Sequence, residues 1–148
     1  MSPTTHHRIT GHFDVTMQPQ PQPDNPQEAG LTLLTLGRAL LDKRYHGELD
    51  ATASGQMLSA VTSTPGSAGY VAIEVVTGRL LGRSGRFVLQ HSGSMARGEK
   101  QLTIHVVPDS GTDALLGLSG HMNIRIVDGQ HFYDFDVVLP EPAPASAD

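Results

Sequence analysis

The stretch Tyr70 to Gly93, YVAIEVVTGRLLGRSGRFVLQHSG, limits what this chain can fold into more than any other. Val71 to Thr77 is β-branched and apolar. Arg86 to Ser92 alternates large apolar with polar side chains. Between them, Leu81-Gly82-Arg83-Ser84 carries glycine at its first central position, as a type II′ hairpin turn requires. The stretch therefore reads as two antiparallel strands joined by a tight turn. Its first strand is apolar on both parities, Ala72 and Val76 on one and Val71, Ile73 and Val75 on the other. A lone barrel wets one side of each strand, so such a strand needs a second cover. The expected cover is another copy of the chain, making a homo-oligomer; its own tail or proline loop is the alternative.

The rest of the chain repeats strand, turn, strand. Arg8 to Met17 sets Ile9, Gly11, Phe13, Val15 and Met17 against His12, Asp14 and Thr16, the alternation of a half-buried strand. Leu31 to Tyr45 has leucines that could form a helical stripe. Gly37 in mid-segment, the missing capping box and two threonines favour a long strand instead. Gly47 to Val61 alternates with an unusually small apolar face, including Ala51, Ala53 and Gly55. Thr64-Pro65-Gly66-Ser67 is a turn. Glu99 to Val107, His121 to Val127 and Gln130 to Leu139 are further strands, the last two joined at the hairpin signal Asp128-Gly129. One short helix at most is expected, near Ala114 to Leu118. The fold class is all-β: a single eight-stranded antiparallel barrel over residues 7–139. Eight strands enclose just enough room for packed side chains or one small ligand. Residues 1–6 and 140–148 read as disordered tails. The proline-rich stretch 18–30, QPQPQPDNPQEAG, reads as a loop, either a plain connection or a lid over the barrel mouth.

Composition excludes several functions. A chain of 148 residues is one domain, and its net charge of −5 with no basic cluster argues against nucleic acid as a partner. No cysteine is present, so disulfide and thiol chemistry are absent. Residues 1–10 lack the apolar core of a secretion signal, and no apolar run approaches the ~18 residues of a membrane span. The expectation is a cytoplasmic protein with no membrane partner. None of the eight histidines has metal-ligand spacing, so no metal and no cofactor are implied. Gly78, Gly82, Gly85 and Gly93 bracket the hairpin. A phosphate loop needs a helix to follow, so they read as turn geometry, with Gly78 covered by Phe87.

Three phrases carry a resemblance: VTGRLLGRSGRFVLQHSG (76–93), VVPDSGTDALLGLSG (106–120) and the closing DFDVVL. They resemble the domain of unknown function 3224 family, small bacterial proteins grouped with the allene oxide cyclase-like barrels. The resemblance covers Thr10 to Leu139. It implies an eight-stranded antiparallel barrel, allene oxide cyclase-like or lipocalin-like, that associates with copies of itself. It implies no established reaction. Allene oxide cyclases act on an unsaturated fatty-acid epoxide, but their active-site segments find no match here, so no catalytic residue is carried over.

Candidate site residues come from the hairpin. Glu74 interrupts an apolar strand and shares parity with Tyr70, Ala72 and Val76. His91 falls in register with Phe87 and Leu89. A two-residue turn at Gly82-Arg83 sets Leu81 opposite Ser84 and Glu74 opposite His91; a longer turn shifts the partner by two positions and keeps parity. Tyr70, Glu74, Phe87, Leu89 and His91 are therefore the candidate barrel-lining, ligand-binding residues. The Glu74–His91 pair would orient a polar ligand group or move a proton, or else simply satisfy two buried groups. Asp134 and Asp136 read as surface carboxylates. No nucleophile elbow or triad order appears, so no catalytic residue is assigned. The functional reading is a barrel that binds a small, mostly apolar ligand or a protein partner. The alternative is an isomerase or cyclase acting on a lipid-like substrate.

Overall fold

The computed structural model describes residues 3–21 and 34–141. Eight strands follow in chain order: β1 Thr4–Pro19, β2 Leu34–Gly47, β3 Leu49–Thr62, β4 Ala68–Leu80, β5 Arg83–Ala96, β6 Glu99–Val106, β7 Ser119–Val127 and β8 Gln130–Pro140. Each pairs antiparallel with the next, and β1 closes on β8. The protein is an all-β, closed eight-stranded barrel. A 3-10 turn, Asp113–Leu115, stands where a short helix was expected. The leucine-rich segment is strand from Leu34 onward; residues 31–33 lie outside the described residues. No helix among the described residues is long and apolar enough to cross a membrane.

The ends of the barrel domain differ from expectation. Thr4, Thr5 and His6 belong to β1 and pair with Pro140, Leu139 and Val138. Hydrogen bonding to β8 ties down residues that composition marks as a tail. Gln18 and Pro19 likewise end β1. Residues 22–30 of the proline-rich stretch and residues 142–148 lie outside the described residues.

The central hairpin turns one residue earlier than the sequence suggests. Leu80 pairs with Arg83, so the loop is Leu81-Gly82. Both residues have positive φ, 53° and 77°, the signature of a type I′ turn rather than the expected II′. A leucine in the left-handed region is strained. Its amide donates to the Glu48 carbonyl at 2.9 Å, and its side chain packs partly on the core. The pairing therefore moves by two positions: Glu74 faces Leu89, and His91 faces Ala72. Gly78 faces Gly85, not Phe87; a Cβ there would come within 2.6 Å of Ala51 Cα, so the missing side chain makes room for β3.

The two ends of the lumen are built differently. One is plugged by Tyr45, Leu49, Leu80, Phe87, Tyr133 and Phe135, all fully buried. Tyr133 locks this plug: its hydroxyl donates to the His46 carbonyl at 2.9 Å and accepts from the Leu49 amide at 3.3 Å. At the other end the β3–β4 and β5–β6 hairpin tips dock on each other. Gly98 N–H reaches the Gly66 carbonyl at 3.0 Å, and Arg97 N–H reaches Ser67 Oγ at 3.0 Å. The β6–β7 seam holds through two residue pairs, Ile104 with Met122 and His105 with His121. Beyond them the strands part, and the barrel opens.

Candidate functional site

Charge inside the lumen is concentrated in one cluster. Glu74, His91 and Lys43 are the buried acidic and basic residues among the described residues, at 0%, 3% and 8% exposure. Glu74 lies on β4, His91 on β5, and Lys43 with Tyr45 on β2. Strand alternation sends all four side chains inward. The small face of β3 gives them room: a Cβ on Gly55 would meet Glu74 Cα at 2.7 Å, and Ala53 stands between Lys43 and Val76 in the register.

Both carboxylate oxygens of Glu74 are engaged. Oε1 accepts from His91 Nε2 at 2.6 Å and from Lys43 Nζ at 3.0 Å. Oε2 accepts from the Tyr45 hydroxyl at 2.9 Å. Lys43 also donates to Tyr45 Oη at 3.4 Å and sits 4.9 Å from the Phe13 ring centre. Burial pushes the Glu74 carboxyl up; the His91 hydrogen bond and the Lys43 charge outweigh it and hold it below the ordinary value. Glu74 is thus the ionised acceptor, and His91 Nε2–H is a donor to it. Burial, and then the negative charge of Glu74, push the Tyr45 hydroxyl well up, so Tyr45 stays a neutral donor. No buried side-chain polar atom among the described residues lacks a partner. The cluster can fix a polar group beside it. It can also pass a proton between Glu74 and His91.

Next to the cluster, at the open end, lies a trough of about 350 Å³. Met57 and Val61 of β3, Tyr70 of β4, Met95 of β5 and Leu102 of β6 give it an apolar wall, with Lys100 at its rim. Tyr70 joins the two regions. It lines the trough, and its ring centre is 6.3 Å from that of His91. The ring lies over Gly93, its cross-strand partner, where a Cβ would come within 2.3 Å of Cε1. An aromatic covering a cross-strand glycine is present in this hairpin, but at Tyr70–Gly93.

Residues 9–137 match the family described as "Protein of unknown function (DUF3224)". The chain belongs to the DUF3224 family. A crystal structure of a DUF3224 protein of unknown function from Shewanella oneidensis MR-1 is 50% identical. It superposes with a TM-score of 0.82, covering 94% of this chain and 100% of that one. No curated protein matches the chain.

Within this DUF3224 barrel the five sequence candidates divide. Glu74 and His91 touch each other in the cluster, bonded diagonally across the hairpin rather than directly opposite. Tyr70 stands half-buried between cluster and trough. Phe87 and Leu89 are core: Phe87 stacks on Phe135 at 5.9 Å, away from the trough. Lys43 and Tyr45 are members of the buried cluster that sequence reasoning missed. Both share parity with Leu41, the parity that the fold turns inward. The remaining polar groups are peripheral. His12 stacks on His46 at 4.6 Å outside the barrel, and His121 lies 3.1 Å from Asp136. Asp134 pairs with Arg125 at 2.8 Å. No group of three or more His, Asp or Glu among the described residues is placed to hold a metal.

Proposed function

We propose that this DUF3224 protein is a binding barrel that takes one small, mostly apolar molecule into the trough at its open end. The observation that carries this reading is the trough itself: about 350 Å³ of space, walled by methionine, valine, leucine and tyrosine side chains. Ligand sites are typically concave, about 300–1,000 Å³, mostly apolar, with few polar groups. The plugged end supports the reading by leaving the trough one floor. Native mass spectrometry of protein taken directly from cell extract tests it. The expected result is a small-molecule adduct, one per chain, released by organic solvent. A chain that carries a co-purifying protein in place of an adduct would support the partner-binding reading instead. The isomerase or cyclase reading has the Glu74–His91 contact in its favour; it predicts that the released molecule is a substrate or product, converted on incubation with fresh protein.

We infer further that two copies meet through the outer wall of β3 and β4. Leu58 and Val71 are cross-strand partners there, 53% and 51% exposed, and Ile73 beside them is 47% exposed. Contiguous apolar surface of this kind on a soluble protein marks an interaction site.

A further inference from the structure

We propose that the trough and the charged cluster form one site closed by the Tyr70 ring, in which the cluster receives the uncharged hydroxyl or carbonyl head of an amphipathic molecule whose apolar body fills the trough. The proposal rests on the reading of the trough as a binding site and adds the chemistry of its inner end.

Three observations carry it. The first is adjacency. Tyr70 touches both regions on this hairpin: it lines the trough and lies 6.3 Å from the His91 ring of the cluster. Gly93 beneath it lets the ring lie flat on the sheet. The residue is half-buried and lines the trough, the space into which the ring would swing.

The second is charge. Glu74 and Lys43 lie 3.0 Å apart and cancel. A carboxylate head would enter beside Glu74 and an ammonium head beside Lys43. Either would leave one uncompensated charge in a dry interior, which is costly. A neutral head avoids that cost.

The third is unused hydrogen-bonding capacity. An ammonium has three N–H donors. Lys43 uses two, on Glu74 and Tyr45, among the described residues. His91 engages Glu74 through Nε2, and Nδ1, which is not among the fully buried polar atoms lacking a partner, has no protein hydrogen bond among the described residues; in the neutral ring it is an acceptor. A carbonyl would satisfy Lys43. A hydroxyl would satisfy Lys43 as acceptor and His91 as donor. Glu74 is the most engaged of the three, with two donors on Oε1 and the Tyr45 hydroxyl on Oε2, which leaves one acceptor site on Oε2 for a hydroxyl.

The test uses the full chain labelled with 13C at methionine methyls and histidine rings, titrated with 1-octanol, octanoate and octylamine. Met57 and Met95 report the trough, and His91, assigned by the His91→Gln spectrum, reports the cluster. The expected result is that octanol shifts the Met57, Met95 and His91 signals together at one affinity. Octanoate and octylamine should bind at least about ten-fold more weakly, the scale of a modest buried-charge penalty. In Gly93→Ala, which pushes the ring off its seat, diethyl pyrocarbonate should modify His91 faster than in the parent chain. If octanol shifts the methionines and leaves His91 unmoved, the single-site proposal is overturned and the trough reading stands. If octanoate binds as tightly as octanol and moves His91, the neutral-head assignment is wrong. If no probe moves Met57 or Met95, the trough reading falls, and this proposal with it.

Discussion

Glu74 shows how far one residue can be read from sequence. A carboxylate in an apolar strand must be paired, and parity places His91 on the same side whichever tight turn forms. That argument survives the two-position register shift, because a shift of two does not exchange the faces of a strand. Lys43 escaped the same logic. It sits in Asp42-Lys43-Arg44, which resembles a solvated charge run, and Leu40 and Leu41 put apolar residues on both parities. Only the fold shows that the Leu41 parity faces inward. The energetics follow from the burial. Glu74→Gln leaves Lys43 as an unpaired buried charge and should destabilise the barrel by about 3–5 kcal/mol. Adding Lys43→Met should recover most of that loss. Urea denaturation of the three chains checks both, and a single-variant loss within error of zero would contradict the ion pair. The pH dependence has a definite sign. The folded Glu74 pKa is lowered, so its contribution is fully present above its ordinary value of 4.5 and is lost as pH falls through the folded value. Parent-chain stability should therefore fall more steeply with acidification below that pH than stability of the Glu74→Gln chain.

Among the elements, the β4–β5 hairpin was legible as a hairpin and illegible in its turn. Glycine at position 82 suits two turns: type II′ with Gly82 first, or type I′ with Gly82 second. Preference statistics choose the former because a leucine in the left-handed region is rare. The contact between Leu81 and Glu48 decides for the latter, and no local rule contains it. Gly82 has open space around it and φ of 77°, so Gly82→Ala should cost about 1–2 kcal/mol through the backbone alone. An unchanged denaturation midpoint would contradict the turn. The β6–β7 seam is the other element-scale feature. The charged and polar side chains Glu99, Lys100, Asn123 and Arg125 line its parted edges, a pattern that protects exposed strand edges from pairing. Native-state hydrogen exchange should show the seam-facing amides of residues 123–127 exchanging at least about a hundred-fold faster than the paired amides of β4 and β5. Equal protection would mean that the seam is closed in solution.

At the level of the whole molecule, strand count, order and closure were readable because nearly every strand alternates and is bounded by a turn signal. The trough was not. Its wall draws residues from four strands, and it lies at the end where β6 and β7 part, a property of closure rather than of any segment. The apolar outer wall was readable, as the two-sided strand Val71 to Thr77. Leu58→Lys and Val71→Lys, both at exposed positions, should convert a sedimenting dimer into a monomer with little change in melting temperature. A parent chain that sediments only as a monomer at micromolar concentration would contradict the second-copy interface. The central claim, that the trough binds small apolar molecules, is tested most directly by titrating the neutral dye Nile red into the parent chain, Met57→Glu and Val71→Lys. The account predicts one blue-shifted dye per chain, lost in Met57→Glu and kept in Val71→Lys. Dye binding that is absent from the parent chain, or unchanged by Met57→Glu, would contradict it.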